Sequence, residues 1–324
     1  SWYSWLRAAK LPYSDCYDTI AALVFHMKDR LTKILVIVGP TASGKTTLAV
    51  QLAKIFNGEV ISADSRQVYR GLDLGTGKVT PEEADGVPHH LIDVADPIEM
   101  YSAADFVRDA DRAIADIRAR GKLPIVAGGT FFYIEALLGL RSLAEVPANE
   151  ALRTELEACG TDALFARLEA KDPEYAATVD RHNTHRLIRA IEITEALGTM
   201  PRPKEEPRYE ALIIGVDVPR EVLNEKIHMR LLEHLSLGML EETKQLHESG
   251  LTYERMESLG LEYRYMARHL QGTLSYEEMV ETLTHKIRQF AKRQRTWLRR
   301  MEGVRWFTPA DTAGIGSAIR QFLT

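Results

Sequence analysis

Gly39-Pro40-Thr41-Ala42-Ser43-Gly44-Lys45-Thr46 forms a complete G-x-x-x-x-G-K-[ST] phosphate-binding loop. The backbone amides of such a loop, together with the positive end of the helix it opens, cradle a diphosphate. Lys45 adds a full charge and Thr46 a hydroxyl suited to Mg²⁺. The motif fixes a polyphosphate as ligand and leaves the reaction open. Two more polar residues stand just beyond apolar runs: Asp64 after Glu59 to Ala63, and Thr130 after Leu123 to Ala127 and a Gly128-Gly129 pair. Ligands of open α/β sheets bind beyond the carboxyl ends of the strands, so parallel strands would bring all three to one edge. Asp64 then reads as a general base, a helix cap or an outer Mg²⁺ ligand. Thr130 reads more simply as the cap of a helix starting at Phe131.

A second chemistry is carried by Lys286, Arg288, Lys292, Arg293, Arg295, Arg299 and Arg300, which have no Asp or Glu among them. Met279, Leu283, Ile287, Phe290 and Leu298 give the same segment an apolar stripe, so it reads as a docked helix with a cationic outer face. Such a face is either solvated or binds RNA or phosphate. Arg186 and Arg189 share a helix face in THRLIRAIEI, where they serve equally as RNA contacts or as ion-pair partners.

The elements that must position these groups are legible in the pattern. Residues 34–38, ILVIV, form a buried parallel strand feeding the glycine-rich turn, and a helix follows from Lys45. Ser102 and Asp105 read as a capping box opening a helix to Arg120, with Phe106, Ala110, Ile114 and Ile117 buried and Gly121 as its stop. Alternating strands and helices imply a three-layer α/β domain with a parallel sheet. Glu150 to Ala177 is charged, alanine-rich and helical in period, as expected of a helical insertion. Pro201, Pro203 and Pro207 mark a linker, Ala211 to Val216 a returning strand, and Glu221 to Ser249 one long helix. The expected division is an N-terminal extension over 1–30, core over 31–141, helical insertion over 142–182, and core with the basic helix over 183–324.

The 324 residues carry a net charge of -5, so any RNA-binding surface must be local. Cys16 and Cys159 match neither a disulfide framework nor a metal pattern, which suits free thiols in a reducing, cytoplasmic compartment. Ile20 to Phe25 is too short an apolar run to span a membrane. Ile20, Leu23, Val24, Met27 and Leu31 instead predict an amphipathic helix over Asp18 to Lys33, and Asp15 and Asp18 argue against a transit peptide.

In order along the chain stand GPTASGKT at 39–46, ISADSRQVYRGLDLGTGK at 61–78 and PHHLIDVADPIEMYSAADF at 88–106. They are followed by IVAGGTFFYIEALL at 125–138, HRLIRAIEI at 185–193 and AKRQRTWLRR at 291–300. This ordered set resembles the tRNA dimethylallyltransferase (isopentenyl-tRNA transferase, IPP transferase) family from Lys33 to Phe307. The resemblance implies a P-loop NTPase-like core with a small all-helical insertion and a Mg²⁺-dependent, monomeric enzyme without an obligate protein partner. The implied reaction moves dimethylallyl from dimethylallyl diphosphate to N6 of the adenosine 3′ of the tRNA anticodon. It assigns Gly39 to Thr46 and Arg230 to the diphosphate, Thr46 to the metal, Asp64 to general-base catalysis, and Lys45 and Thr130 to the reacting centre. Ser65, Arg66, Gln67, Arg153, His185, Arg186, Leu187, Arg189, Arg264, Lys292 and Arg293 are placed toward tRNA, as is Asp64 itself. One segment departs from the family pattern: Ser258-Leu259-Gly260-Leu261-Glu262-Tyr263-Arg264 stands where many members have a glycine-tyrosine pair. Three other readings share parts of the pattern. They are an isopentenyltransferase of free adenine nucleotides, a P-loop small-molecule kinase using ATP, and a noncatalytic RNA-binding module on a dead P-loop.

Overall fold

The computed structural model describes residues 31–144, 146–202 and 207–324. The expected helix over 18–33 and Cys16 lie outside them, except that Leu31 and Thr32 are irregular and Lys33 opens a strand. Six strands, β1 (Lys33–Val38), β2 (Gly58–Ala63), β3 (His89–His90), β4 (Leu123–Gly128), β5 (Glu210–Val216) and β6 (Val304–Phe307), form one sheet. Its order is β3-β2-β4-β1-β5-β6, and every pairing is parallel. Central β1 is sealed on both sides, and Ile34 to Val38 are wholly buried. Each such side chain contributes on the order of 1.5–3 kcal/mol.

Successive residues of a strand face opposite ways, which divides the core in two. Leu35 and Ile37 join the cluster with α1 (Lys45–Ile55) and the C-terminal helices. Ile34, Val36 and Val38 join Phe106, Ala110, Ile114 and Ile117 of α3 (Ala103–Ala119) and the buried face of α4 (Phe131–Leu138). The short α2 (Pro81–Ala84) lies between α1 and β3 in sequence. The Ser102–Asp105 capping box is present at the start of α3.

The helical insertion contains α5 (Glu150–Glu157), α6 (Thr161–Lys171), α7 (Pro173–Ala176) and α8 (Thr184–Leu197). Its own core joins Leu156, Leu164 and Leu168 to Leu187 and Ile191 of α8. The unit therefore runs beyond the boundary expected at 182, because α8 supplies one wall of its core.

The single helix expected over Glu221 to Ser249 is two, α9 (Arg220–Ser236) and α10 (Met239–Glu248), broken at Gly238 with φ of 102°. After α11 (Tyr253–Ser258) and α12 (Leu261–Leu270) comes α13 (Tyr276–Leu298), with α14 (Thr312–Leu323) closing the chain. Met279, Leu283, Ile287 and Ala291 of α13 pack on one face of the sheet, whereas Leu298 packs on the other. The helix therefore crosses the sheet at its carboxyl edge. Phe290, expected in the stripe, is instead 39% exposed and lies beneath the Arg293 guanidinium.

Candidate active site

The loop from Gly39 to Lys45 is shaped for an anion. Ala42 and Gly44 take φ of 60° and 85°, the left-handed turns from which amide nests are made. Gly44 begins α1 without any side-chain cap, and the first amide to find a helical acceptor is that of Leu48. The preceding first-turn N–H groups are thus available to a ligand. Ser43 Oγ is buried without a hydrogen-bond partner among the described residues. A buried hydroxyl left unpaired in a nest of amides is a place for a phosphate oxygen.

Cations complete the cradle. Arg230 on α9 donates to Thr41 Oγ1 (2.6 Å), which brings it to the loop as expected. Among the described residues Lys45 Nζ has only a long contact to Pro40 O (3.4 Å). Burial lowers the Lys45 ammonium to about 8, with Asp64 opposing the shift and Arg230 adding to it. The three charges therefore act on one another across the site.

Asp64 and Thr130 stand together at the carboxyl ends of the paired strands β2 and β4. Asp64 Oδ1 accepts the amide of Arg66 (2.9 Å), and Oδ2 has no partner among the described residues. It caps no helix. Thr130 occupies the N-cap position of α4, yet its hydroxyl makes no capping bond. It accepts the amide of Ser65 (3.0 Å) and donates to Ser65 Oγ (3.3 Å), so the simple capping role is replaced by a clamp on the Asp64 loop. The Gly128-Gly129 pair makes this approach possible. A Cβ on Gly128 would lie 2.2 Å from Ala63 O, and one on Gly129 would lie 2.7 Å from Gln294 Nε2.

Gln294 was not singled out in the sequence, though it joins the phosphate loop to the Gly129-Thr130 turn. From α13 it accepts the Thr41 amide (2.8 Å) and donates to Gly129 O (3.1 Å) while buried. Its signal was present: it continues the i+3/i+4 stripe of Ile287, Ala291 and Leu298, and an amide in an apolar stripe needs partners across the interface.

The other expected residues divide by their partners. Gln67 accepts from Ser62 Oγ (2.9 Å) and donates to Gly77 O (3.0 Å), so its amide shapes the loop. The Arg66 side chain makes no hydrogen bond or ion pair among the described residues and lies beside Gly260 and Glu262. A Cβ on Gly260 would be 3.8 Å from both Arg66 Nε and Glu262 Oε2. Burial raises the Glu262 carboxyl, with Asp64 adding to the rise and Arg230 and Arg66 opposing it.

In the insertion, His185 and Arg186 are exposed. Arg153 and Arg189 are instead bound to the buried Glu192: Arg153 through Nε (2.9 Å) and a terminal nitrogen (3.1 Å), Arg189 through one bond of 2.8 Å. They hold α5 to α8. Leu187 is wholly buried in the insertion core and is withdrawn as an RNA contact. Arg264 is tied to Glu257 O (2.9 Å) and to its carboxylate (3.2 Å), which anchors α12 to α11. Lys292 and Arg293 are exposed on α13 without acidic partners among the described residues, whereas Arg295 faces Asp217 at 3.5 Å. Cys159 is a half-buried free thiol. Among the described residues no helix is long and apolar enough to cross a membrane.

Comparison with known proteins shows the family. A family model described as IPP transferase matches residues 67–301, and one described as isopentenyl transferase matches residues 32–99. The chain is 50% identical over 277 residues to tRNA dimethylallyltransferase 2 of Treponema denticola, covering 83% of this chain and 92% of that protein. It is 46% identical to tRNA dimethylallyltransferase 1 of Geotalea daltonii, covering 84% and 88%. Among solved structures it is similar to the full-length tRNA isopentenylpyrophosphate transferase of Bacillus halodurans. That match has a TM-score of 0.67 and 41% identity over 90% of this chain and 95% of the other. It is also similar to a eukaryotic dimethylallyltransferase captured acting on tRNA, with a TM-score of 0.77 and 30% identity over 90% and 77%. The phosphate cradle, the clamped aspartate loop and these matches over most of the chain lead to one assignment: the protein belongs to the IPP transferase family.

Proposed function

We propose that the protein transfers the dimethylallyl group of dimethylallyl diphosphate to N6 of the adenosine 3′ of the anticodon in tRNA. The observation that carries this reading is the convergence at one sheet edge of an anion cradle and a carboxylate with a free oxygen, Asp64 Oδ2. A transferase needs both within one pocket.

The lone pair of adenine N6 is delocalised into the ring, so attack on the allylic carbon requires proton removal as the new bond forms. Asp64 supplies the acceptor, and its Arg66 amide contact and the Thr130–Ser65 clamp hold it in place. The leaving diphosphate gathers negative charge as the carbon–oxygen bond breaks. Lys45, Arg230 and the loop amides stabilise that charge where it develops. Ser43 Oγ would donate to one of its oxygens.

The residues also fit Mg²⁺. Thr46 presents an exposed hydroxyl in the first turn of α1, and among the described residues no group of three or more His, Cys, Asp or Glu is placed to hold a metal ion by itself. A single protein donor beside diphosphate suits an ion that keeps most of its waters. When bound, Mg²⁺ would add positive charge to the diphosphate oxygens.

The target base must leave the stack of the anticodon loop, at a cost of a few kcal/mol. Arg66, His185, Arg186, Lys292 and Arg293, whose side chains have no polar partner among the described residues, can offset this through RNA contacts. The test is Asp64→Asn: turnover should be abolished while tRNA affinity stays within about threefold. Near-normal turnover in that variant would refute the general base.

A further inference from the structure

The turn between Leu72 and Lys78 is held by a carboxylate from another helix. Asp73, Leu74 and Gly75 present three successive N–H groups, none with a backbone acceptor among the described residues. Glu242 of α10 takes all three. Its Oε2 accepts from Asp73 (3.2 Å) and Leu74 (2.7 Å), and its Oε1 accepts from Gly75 (3.2 Å). Tyr263 of α12 donates its hydroxyl to Oε1 as well (2.7 Å). The Tyr263 ring is wholly buried and packs so closely on the turn that a Cβ on Gly75 would lie 2.5 Å from Cζ. Four donors thus share one carboxylate, as successive amides do when they bind an anion.

The turn is attached to both halves of the site. On one side, Gly77 O accepts from Gln67 Nε2 (3.0 Å), next to Arg66 and Ser65. On the other, Leu74 O accepts from His234 Nδ1 (2.7 Å), one helical turn after Arg230, which in turn reaches Thr41 of the phosphate loop (2.6 Å). A Cβ on Gly77 would meet His234 at 3.3 Å and Arg230 at 3.6 Å, so the turn lies directly against both.

We infer that Glu242 is a positioning residue for the transfer reaction. Its carboxylate fixes the 73–77 turn, and the turn sets Gln67 and the Ser65–Arg66 loop toward RNA and Arg230 toward the diphosphate. Glu242 itself touches neither substrate.

This inference rests on the transferase reading, so wild-type transfer is measured first. No transfer by the wild type would defeat that reading, whereas the variants below bear on Glu242 alone. Glu242→Gln keeps the shape of the side chain and turns an NH₂ group against part of the row of donors. The Michaelis constants for tRNA and for dimethylallyl diphosphate should each rise about fivefold or more, and kcat should fall no further than in an Arg230→Ala variant, because Glu242 acts on the leaving diphosphate only through Arg230 while Asp64 and Lys45 are untouched. In the double variant with Gln67→Ala, the tRNA constant should rise no further than in the worse single variant, since both act through one turn. Unchanged constants in the folded variant, or effects of the two changes that multiply, would overturn the inference. Amide hydrogen exchange on the wild-type protein provides a check independent of how the variant folds. The Leu74 and Gly75 amides should be protected about 100-fold or more relative to an open loop. Exchange at the open-loop rate would mean that the anchor does not exist.

Discussion

Replacing Gln294 with leucine tests how the phosphate loop is joined to the Gly129-Thr130 turn. The amide is 6% exposed, accepts from Thr41 N at 2.8 Å and donates to Gly129 O at 3.1 Å. Leucine fills nearly the same volume and removes both bonds, leaving one donor and one acceptor without partners. Each bond contributes about 1 kcal/mol net, and a stranded buried polar group costs about 1–3 kcal/mol, so a loss of about 2–4 kcal/mol is expected. The same change releases the phosphate loop from the Gly129-Thr130 turn, so kcat/KM should fall for both substrates. Urea unfolding gives the first quantity and steady-state transfer the second. A Gln294→Leu protein with stability within about 0.5 kcal/mol of wild type and normal kinetics would refute the bridge, because surface substitutions commonly do no more than that.

At the opposite end of β2, Glu59 is 1% exposed and bound by Arg120, Lys122 and His90. The Arg120 guanidinium first, then Lys122 and His90, hold its carboxyl well below the usual range against the effect of burial. Its folded pKa lies below the unfolded value of 4.5, so its stabilisation is present above that pH and lost as pH falls further. Glu59→Gln should cost about 3 kcal/mol at neutral pH and flatten the acid limb of the stability curve below about pH 4.5; an equally steep limb would contradict the pairing. Neutralising Lys292 and Arg293 should lower the slope of log affinity for tRNA against log salt by about one unit per phosphate contact, as read by binding titrations at several salt concentrations. An unchanged slope would make that face merely solvated. Arg186→Ala should weaken tRNA binding without changing the melting temperature. Arg153→Ala should lower the melting temperature, and the opposite pattern would show that their partners have been misassigned.

The sequence disclosed the chemistry more fully than the geometry that supports it. The β1 run and the GPTASGKT turn were legible because a strand buried on both faces and a phosphate loop each leave a continuous local signature. The helix from Ala103 was legible from its capping box and stripe. Long-range pairing was not. The role of Arg153 depends on Glu192, 39 residues away, and nothing local distinguishes an arginine bound to a distant buried acid from one facing RNA. Thr130 shows the same limit, since its N-cap position is local while its Ser65 partner lies 65 residues back. The break at Gly238 was missed because the helical period continues on both sides of it. The insertion core reaches past residue 182 because α8 carries the exposed Arg186 beside the buried Leu187, and only packing shows which neighbours the leucine meets. The two-residue β3 and the edge strand β6 are too short to show a period of two.

Transfer to tRNA is measured by following label from radioactive dimethylallyl diphosphate, with Mg²⁺, into unmodified tRNA and, in parallel, into adenosine monophosphate. Label should enter tRNA alone, at the adenosine 3′ of the anticodon, and none should enter with Asp64→Asn. Label in the mononucleotide alone, or no label from folded protein that hydrolyses ATP, would contradict transfer to tRNA.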